Sequence, residues 1–179
     1  QGRVELVRML LDAGVPVDGV QGPGGSTALH AAAVEGHAAV VAVLVAAAAD
    51  LTARTADEAT ALYLGCRQGH VGVVKALLDG GAAVNGVQGP DGMTALDAAA
   101  VCGHDAVVAM LVAAGVDLTA RMAEMTALFL ACQRGHAGVV QALFDAGVDV
   151  GGVQGPGGMT ALQAAMAGGH DEVVRMLKR

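Results

Sequence analysis

Two short apolar stripes, each at helical spacing, recur along this chain in the same order. In the stretch that opens at Thr94, Leu96, Ala99 and Ala100 share one face of a helix predicted over 95–102. Thr94 suits the N-cap, because its hydroxyl can accept from an otherwise unpaired amide of the first turn. Gly103 is placed to end the helix, since glycine takes positive φ at little cost. A second helix is predicted over about 105–114, with Val107, Val108, Met110 and Leu111 as its buried stripe and Gly115 as its stop. An extended connection, residues 116–125, then leads to the next threonine.

That stretch is one copy of a recurring phrase: Thr-Ala-Leu, six residues, then Gly-His. The copies begin at Thr27, Thr60, Thr94, Thr126 and Thr160, so the starts are 33, 34, 32 and 34 residues apart. A fixed period of this size means small stacked units that share a continuous core, not one globular core. The loops carry a longer period. Val20-Gln21-Gly22-Pro23-Gly24-Gly25, Val87-Gln88-Gly89-Pro90-Asp91-Gly92 and Val153-Gln154-Gly155-Pro156-Gly157-Gly158 precede the first, third and fifth copies. Leu51-Thr52-Ala53-Arg54 and Leu118-Thr119-Ala120-Arg121 precede the second and fourth. Thr27 to Thr94 is 67 residues and Thr94 to Thr160 is 66, which points to duplication of a two-unit block.

Helix, tight turn, helix and long loop at this period resemble the ankyrin repeat. The residues that carry the resemblance are the Thr-Ala-Leu of each unit, the Gly-His between helices, the Val-Val-x-x-Leu of the second helix and the Gly-x-Asp-Leu or Gly-x-x-Val that follows. The resemblance covers essentially the whole chain. It implies an all-α solenoid of stacked helix-turn-helix units with projecting β-turn finger loops. It also implies that each Gly-His histidine is structural and bridges the helix turn to a nearby loop. The family's usual Thr-Pro-Leu-His reads Thr-Ala-Leu throughout, and its histidine survives only as His30, becoming Tyr63, Asp97, Phe129 and Gln163. Losing the proline removes a residue preorganised for the first helical turn. Losing the histidine should alter hydrogen bonding between units. The expected division is one array: a partial unit with its finger over 1–26, complete units over 27–59, 60–93, 94–125 and 126–159, and a terminal partial unit over 160–179. Residues 2–10 read as a second helix with no first helix before it, so a segment of a longer array is expected.

Composition narrows the possibilities. The chain is 54% hydrophobic but only 2% aromatic, its apolar content being the Ala, Val and Leu of thin, close-packed helices. The longest apolar run, Ala38 to Ala49, falls short of the roughly 18 residues that a spanning helix needs, so membrane insertion is not expected. There is no signal-peptide pattern. A net charge of −7 opposes non-specific nucleic-acid binding, which needs a basic footprint. Three cysteines, Cys66, Cys102 and Cys132, suggest a reduced, intracellular and cytoplasmic setting rather than a disulfide framework. Cys66 and Cys132 hold the same place in their units and read as small packing residues.

Candidate chemistry is sparse. His37, His70, His104, His136 and His170 occupy identical places in successive units, whose helices stack about 8–10 Å apart. Zinc ligands must lie within about 2 Å of one ion, so neighbouring histidines cannot share one. The Gly-rich fingers lack the Gly-Lys-Ser/Thr ending of a phosphate loop, and turn chemistry accounts for them. Ser26 is the single serine, and no nucleophile–histidine constellation survives. No catalysis, cofactor, metal or small-molecule substrate is expected.

What remains is surface. The resemblance implies a concave face built from finger tips and exposed first-helix positions, with another protein as the partner. The even units carry an aromatic (Tyr63, Phe129), Arg67-Gln68 or Gln133-Arg134 before Gly-His, and a finger arginine (Arg54, Arg121). Aromatics and arginine are enriched at binding hot spots. Two similar patches roughly 20 Å apart could grip an extended acidic or amphipathic segment. Equally, Tyr63 and Phe129 could fill space between thin helices, with Arg54 and Arg121 paired to Asp57, Glu58 and Glu124. The rival functions are a structural spacer in a larger assembly and the recognition segment of a larger enzyme or channel.

Overall fold

Each threonine of the repeated phrase begins a helix, and each following glycine reverses the chain. The computed structural model describes residues 2–20, 22–86, 88–120, 125–149 and 155–178. Five first helices, α2 (Ala28–Val34), α4 (Ala61–Gln68), α6 (Ala95–Cys102), α8 (Ala127–Arg134) and α10 (Ala161–Ala167), form one row in which each packs on the next. A second row runs beside it: α1 (Gly2–Asp12), α3 (Ala38–Ala46), α5 (Val71–Asp79), α7 (Asp105–Ala113), α9 (Ala137–Asp145) and α11 (Asp171–Leu177). The solenoid is therefore all-helical among the described residues, as the 33-residue period predicts. The helices α6 and α7 coincide with the predicted spans to within one residue.

The threonine caps work as anticipated. The hydroxyls of Thr60, Thr94, Thr126 and Thr160 accept from the backbone N–H three residues on, at 3.1–3.3 Å. At the other end, Gly69, Gly103 and Gly135 close their helices at φ 73°, 78° and 76°. A second constraint acts at these turns. A Cβ on Gly69 would lie 2.5 Å from Nδ1 of His104, and the same holds of Gly103 and His136, at 2.6 Å. Glycine serves here both for positive φ and because the next unit's imidazole lies against it.

The core is continuous. Leu29, Leu62, Leu96 and Leu128 are buried between the two rows, together with the Val-Val-x-x-Leu residues of α3, α5, α7 and α9. Side chains this small let the helices approach closely, and Cys66 and Cys132 fill the same buried slot that Ala33 and Ala100 fill in the first and third units. Loops with 3-10 turns at Pro23–Gly25, Pro90–Gly92 and Pro156–Gly158 project from this core. They are closed by backbone bonds such as Gln88 N–H to Met93 O, and neighbouring fingers are tied by Ala56 N–H to Gly24 O and Thr60 N–H to Gln88 O. No helix among the described residues is long and apolar enough to cross a membrane.

Candidate interaction surface

The histidines of the Gly-His turns act between units. The Nε2 atoms of His70, His104, His136 and His170 lie 2.9–3.1 Å from the backbone carbonyls of Val34, Arg67, Val101 and Gln133. Each ring thus caps the end of the preceding first helix. The expectation of a bridge from turn to loop is corrected in this respect: the last carbonyls of a helix lack intrahelical partners, and the ring supplies one. His37, at the first turn, meets the guanidinium of Arg3 instead. Among the described residues no three His, Cys, Asp or Glu side chains gather where they could hold one metal ion.

The fourth residue of each unit shows the altered bonding that its variation implies. His30 uses Nδ1 on the Thr27 cap and Nε2 on the carbonyl of Ala53 in the following finger. Asp97 accepts from the Thr94 N–H and hydroxyl, at 3.0 and 2.8 Å. It is almost fully buried, and burial holds its carboxyl above the usual range. Gln163 accepts from Thr160 N–H at 2.8 Å.

Tyr63 and Phe129 are not surface aromatics. They are 3% and 1% exposed, so of the two readings the filling of space holds, and their choice as contact residues on the concave face is corrected. The physical reason lies in the next finger. Gly89 lies directly on the Tyr63 ring and Gly155 on the Phe129 ring, so that a side chain at either glycine would collide with it. Both glycines have extended backbone, at φ −146° and −153°, so it is space and not conformation that calls for glycine there. The Tyr63 hydroxyl donates to the thioether of Met93 at 3.3 Å. Burial pushes that hydroxyl above its usual pKa, against the opposing influence of nearby Arg67.

The remaining candidates divide. Arg67, Gln68, Gln133 and Arg134 are exposed near the ends of α4 and α8. Arg54 lies on its finger, where it donates to the Glu58 carbonyl at 2.7 Å, with the Glu58 carboxylate 3.9 Å away. Arg121 and Glu124 lie outside the described residues. The two arginines of the second unit do not converge. Arg67 lines a groove of about 700 Å³ between α2, α4 and the fingers, whereas Arg54 lines a separate groove of about 350 Å³ with Leu51, Ala82 and Asn85. The two helix pairs are also out of register. Arg67 is seven residues past its threonine and Arg134 eight, a turn of about 100° around the helix.

The larger groove has an apolar floor of Ala31, Val34 and Leu64, with Glu35, Asp57 and Arg67 around it. Sequence reasoning picked out Arg67 as a contact residue, gave Asp57 only as a possible partner of a finger arginine, and did not include Glu35 among its chosen contacts. The signal available was their position: Glu35 precedes a Gly-His turn as Gln68 and Arg134 do, and Asp57 is a finger residue.

The comparisons with known proteins agree with this geometry. A family model described as "Ankyrin repeats (3 copies)" matches residues 49–122 and 121–179, and a second, "Ankyrin repeats (many copies)", matches residues 1–45. No curated protein matches the chain. Ankyrin repeats are generally protein–protein interaction modules and typically non-catalytic. With matches along nearly its whole length and the two helix rows of a stacked array, the chain belongs to the ankyrin repeat family.

Proposed function

We propose that this array, divided into whole units over 27–59, 60–93, 94–125 and 126–159, is a non-catalytic scaffold. It binds an extended segment of another protein across the face made by the fingers and the first helices. The single observation that carries this reading is the groove between α2, α4 and the fingers, whose apolar floor is edged by exposed charges. Such a floor favours an amphipathic segment over a uniformly acidic one. An extended strand alternates its side chains, so one set can rest on Ala31, Val34 and Leu64 while the other meets the charged rim. Arg67 with Gln68, and Gln133 with Arg134, are the contact residues on the first helices. Arg54 and Arg121 have a lesser place in this reading, because Arg54 is engaged on its own finger.

A phage-displayed random-peptide library tests the reading. Peptides selected on the wild-type protein should change about tenfold or more in affinity for the Arg67→Glu/Arg134→Glu variant, a step of about 1.4 kcal/mol. Unchanged binding by every selected peptide would place the recognition surface elsewhere. A structural spacer would yield no selected peptides on this face.

A further inference from the structure

The charges around the groove are not balanced, and their balance names an occupant. Glu35, at the end of α2, and Asp57, on the second finger, are both exposed and both line it. Arg67 is the one cation among the lining residues. The other nearby cation, Arg54, faces the separate groove and is held by Glu58. Among the described residues no ion pair within 4 Å joins Glu35, Asp57 or Arg67 to another side chain. Glu35 and Asp57 are therefore open to a partner, and the groove carries these two acids against Arg67.

Resting on the reading that this face binds an extended segment, we propose that the groove selects a basic amphipathic segment, with a lysine or arginine held between Glu35 and Asp57. The dimensions fit. Two units span roughly 20 Å, which an extended chain crosses in about six residues at about 3.3 Å each. Alternate residues are then three apolar contacts on the floor and three polar ones toward the rim. A cation at one rim position meets two carboxylates, and a glutamate at another can meet Arg67. A uniformly acidic segment would place like charges against Glu35 and Asp57, which is unfavourable in a groove walled by protein. The overall charge of −7 acts in the same direction and speeds encounter with a cationic segment.

Three fluorescein-labelled synthetic peptides test this on the intact chain. All have the same alternating leucine and alanine positions, and their intervening positions are lysine, glutamate or glutamine. Fluorescence anisotropy should show the lysine peptide binding about tenfold more tightly than the glutamate peptide at about 0.05 M salt, with the preference shrinking at about 0.3 M as screening shortens. Glu35→Gln/Asp57→Asn should remove the preference. Glu5→Gln/Glu172→Gln, the same charge change on α1 and α11, should leave it intact and so separate groove recognition from general attraction to an acidic protein. Preference for the glutamate peptide, abolished by Arg67→Glu, would overturn the basic occupant while leaving the binding face in place. A lysine preference that survives Glu35→Gln/Asp57→Asn would equally overturn it. If no peptide binds, and display selection also yields none, the binding face itself falls and this inference with it.

Discussion

Replacing Gly69 by alanine separates two demands that the turn between helices makes on one residue. Gly69 sits at φ 73°, where an L side chain costs about 1–2 kcal/mol relative to glycine. The added Cβ would also lie 2.5 Å from Nδ1 and 2.6 Å from Cε1 of His104. The imidazole must move, and its bond to the Arg67 carbonyl, now 3.1 Å, is lost or weakened. A bond of this kind contributes about 0.5–1.5 kcal/mol net. The total for Gly69→Ala is then about 1.5–3.5 kcal/mol. Gly81 is the control. It has φ 90° after α5, yet an added Cβ there meets nothing within 4 Å. Gly81→Ala should carry only the conformational cost, about 1–2 kcal/mol. His104→Ala completes the cycle: in its presence the further cost of Gly69→Ala should fall to that of Gly81→Ala, a coupling of about 0.5–1.5 kcal/mol. Urea unfolding followed by far-ultraviolet circular dichroism measures all four variants. Equal costs for the two alanines, or a Gly69→Ala cost unchanged when residue 104 is already alanine, would refute the claim that the imidazole shapes this turn.

Two further outcomes follow from buried groups. Burial pushes the thiols of Cys66 and Cys132 up to about 12, whereas Cys102 is exposed. Ellman's reagent at mildly alkaline pH should therefore find one fast thiol in the folded protein and three in urea, and three fast thiols in the folded protein would contradict the packing described for these slots. Burial also raises the Asp97 carboxyl, so the folded state binds that proton more tightly than the unfolded chain does. The associated stability is complete below the ordinary carboxylate range and is lost as pH rises through the raised folded value. Asp97→Asn, which has no such proton to lose, should gain stability relative to the wild type between about pH 4 and about pH 7. Urea midpoints at the two pH values check this, and an unchanged difference would show that ionisation of Asp97 carries no net cost in the fold.

The fold was legible because its determinants are local and repeated. A capping threonine, an apolar stripe and a terminating glycine act within one unit, and five copies in phase leave little room for another architecture. The role of each histidine was less legible because its acceptor belongs to the preceding unit, some 36 residues away for His70 and Val34. Within one copy the ring has several possible partners. The stacking of copies decides among them, and it also explains why the residue ahead of the histidine is glycine.

The candidate site was legible only in part, and the two-unit period explains the rest. An aromatic at the fourth position of an even unit reads, within its own helix, as a surface residue. In the stack it lies beneath the next finger, and that finger supplies glycine at the point of contact: Gly89 over Tyr63, Gly155 over Phe129. The first unit pairs His30 instead with the Ala53 carbonyl of a finger of the other type, and Asp97 and Gln163 of the other odd units bond to their own threonine caps. The alternation of aromatics with Val-Gln-Gly-Pro fingers is thus, in its aromatic part, a packing rule between one unit and the loop that follows. It joins two sequence features that seemed to belong to different structures, one a hot spot and the other a turn. Once the aromatics are assigned to packing, the exposed part of the pattern is small: Arg67-Gln68 and Gln133-Arg134, the same two residue types in opposite order. Turned about 100° from each other on their helices, the two arginines cannot present identical patches. The packing between finger and aromatic is therefore common to both even units, while the groove beside α4 combines Arg67 with Glu35 and Asp57. Recognition in this array is accordingly expected to follow that local combination of charges, not a twofold repeat of one binding patch.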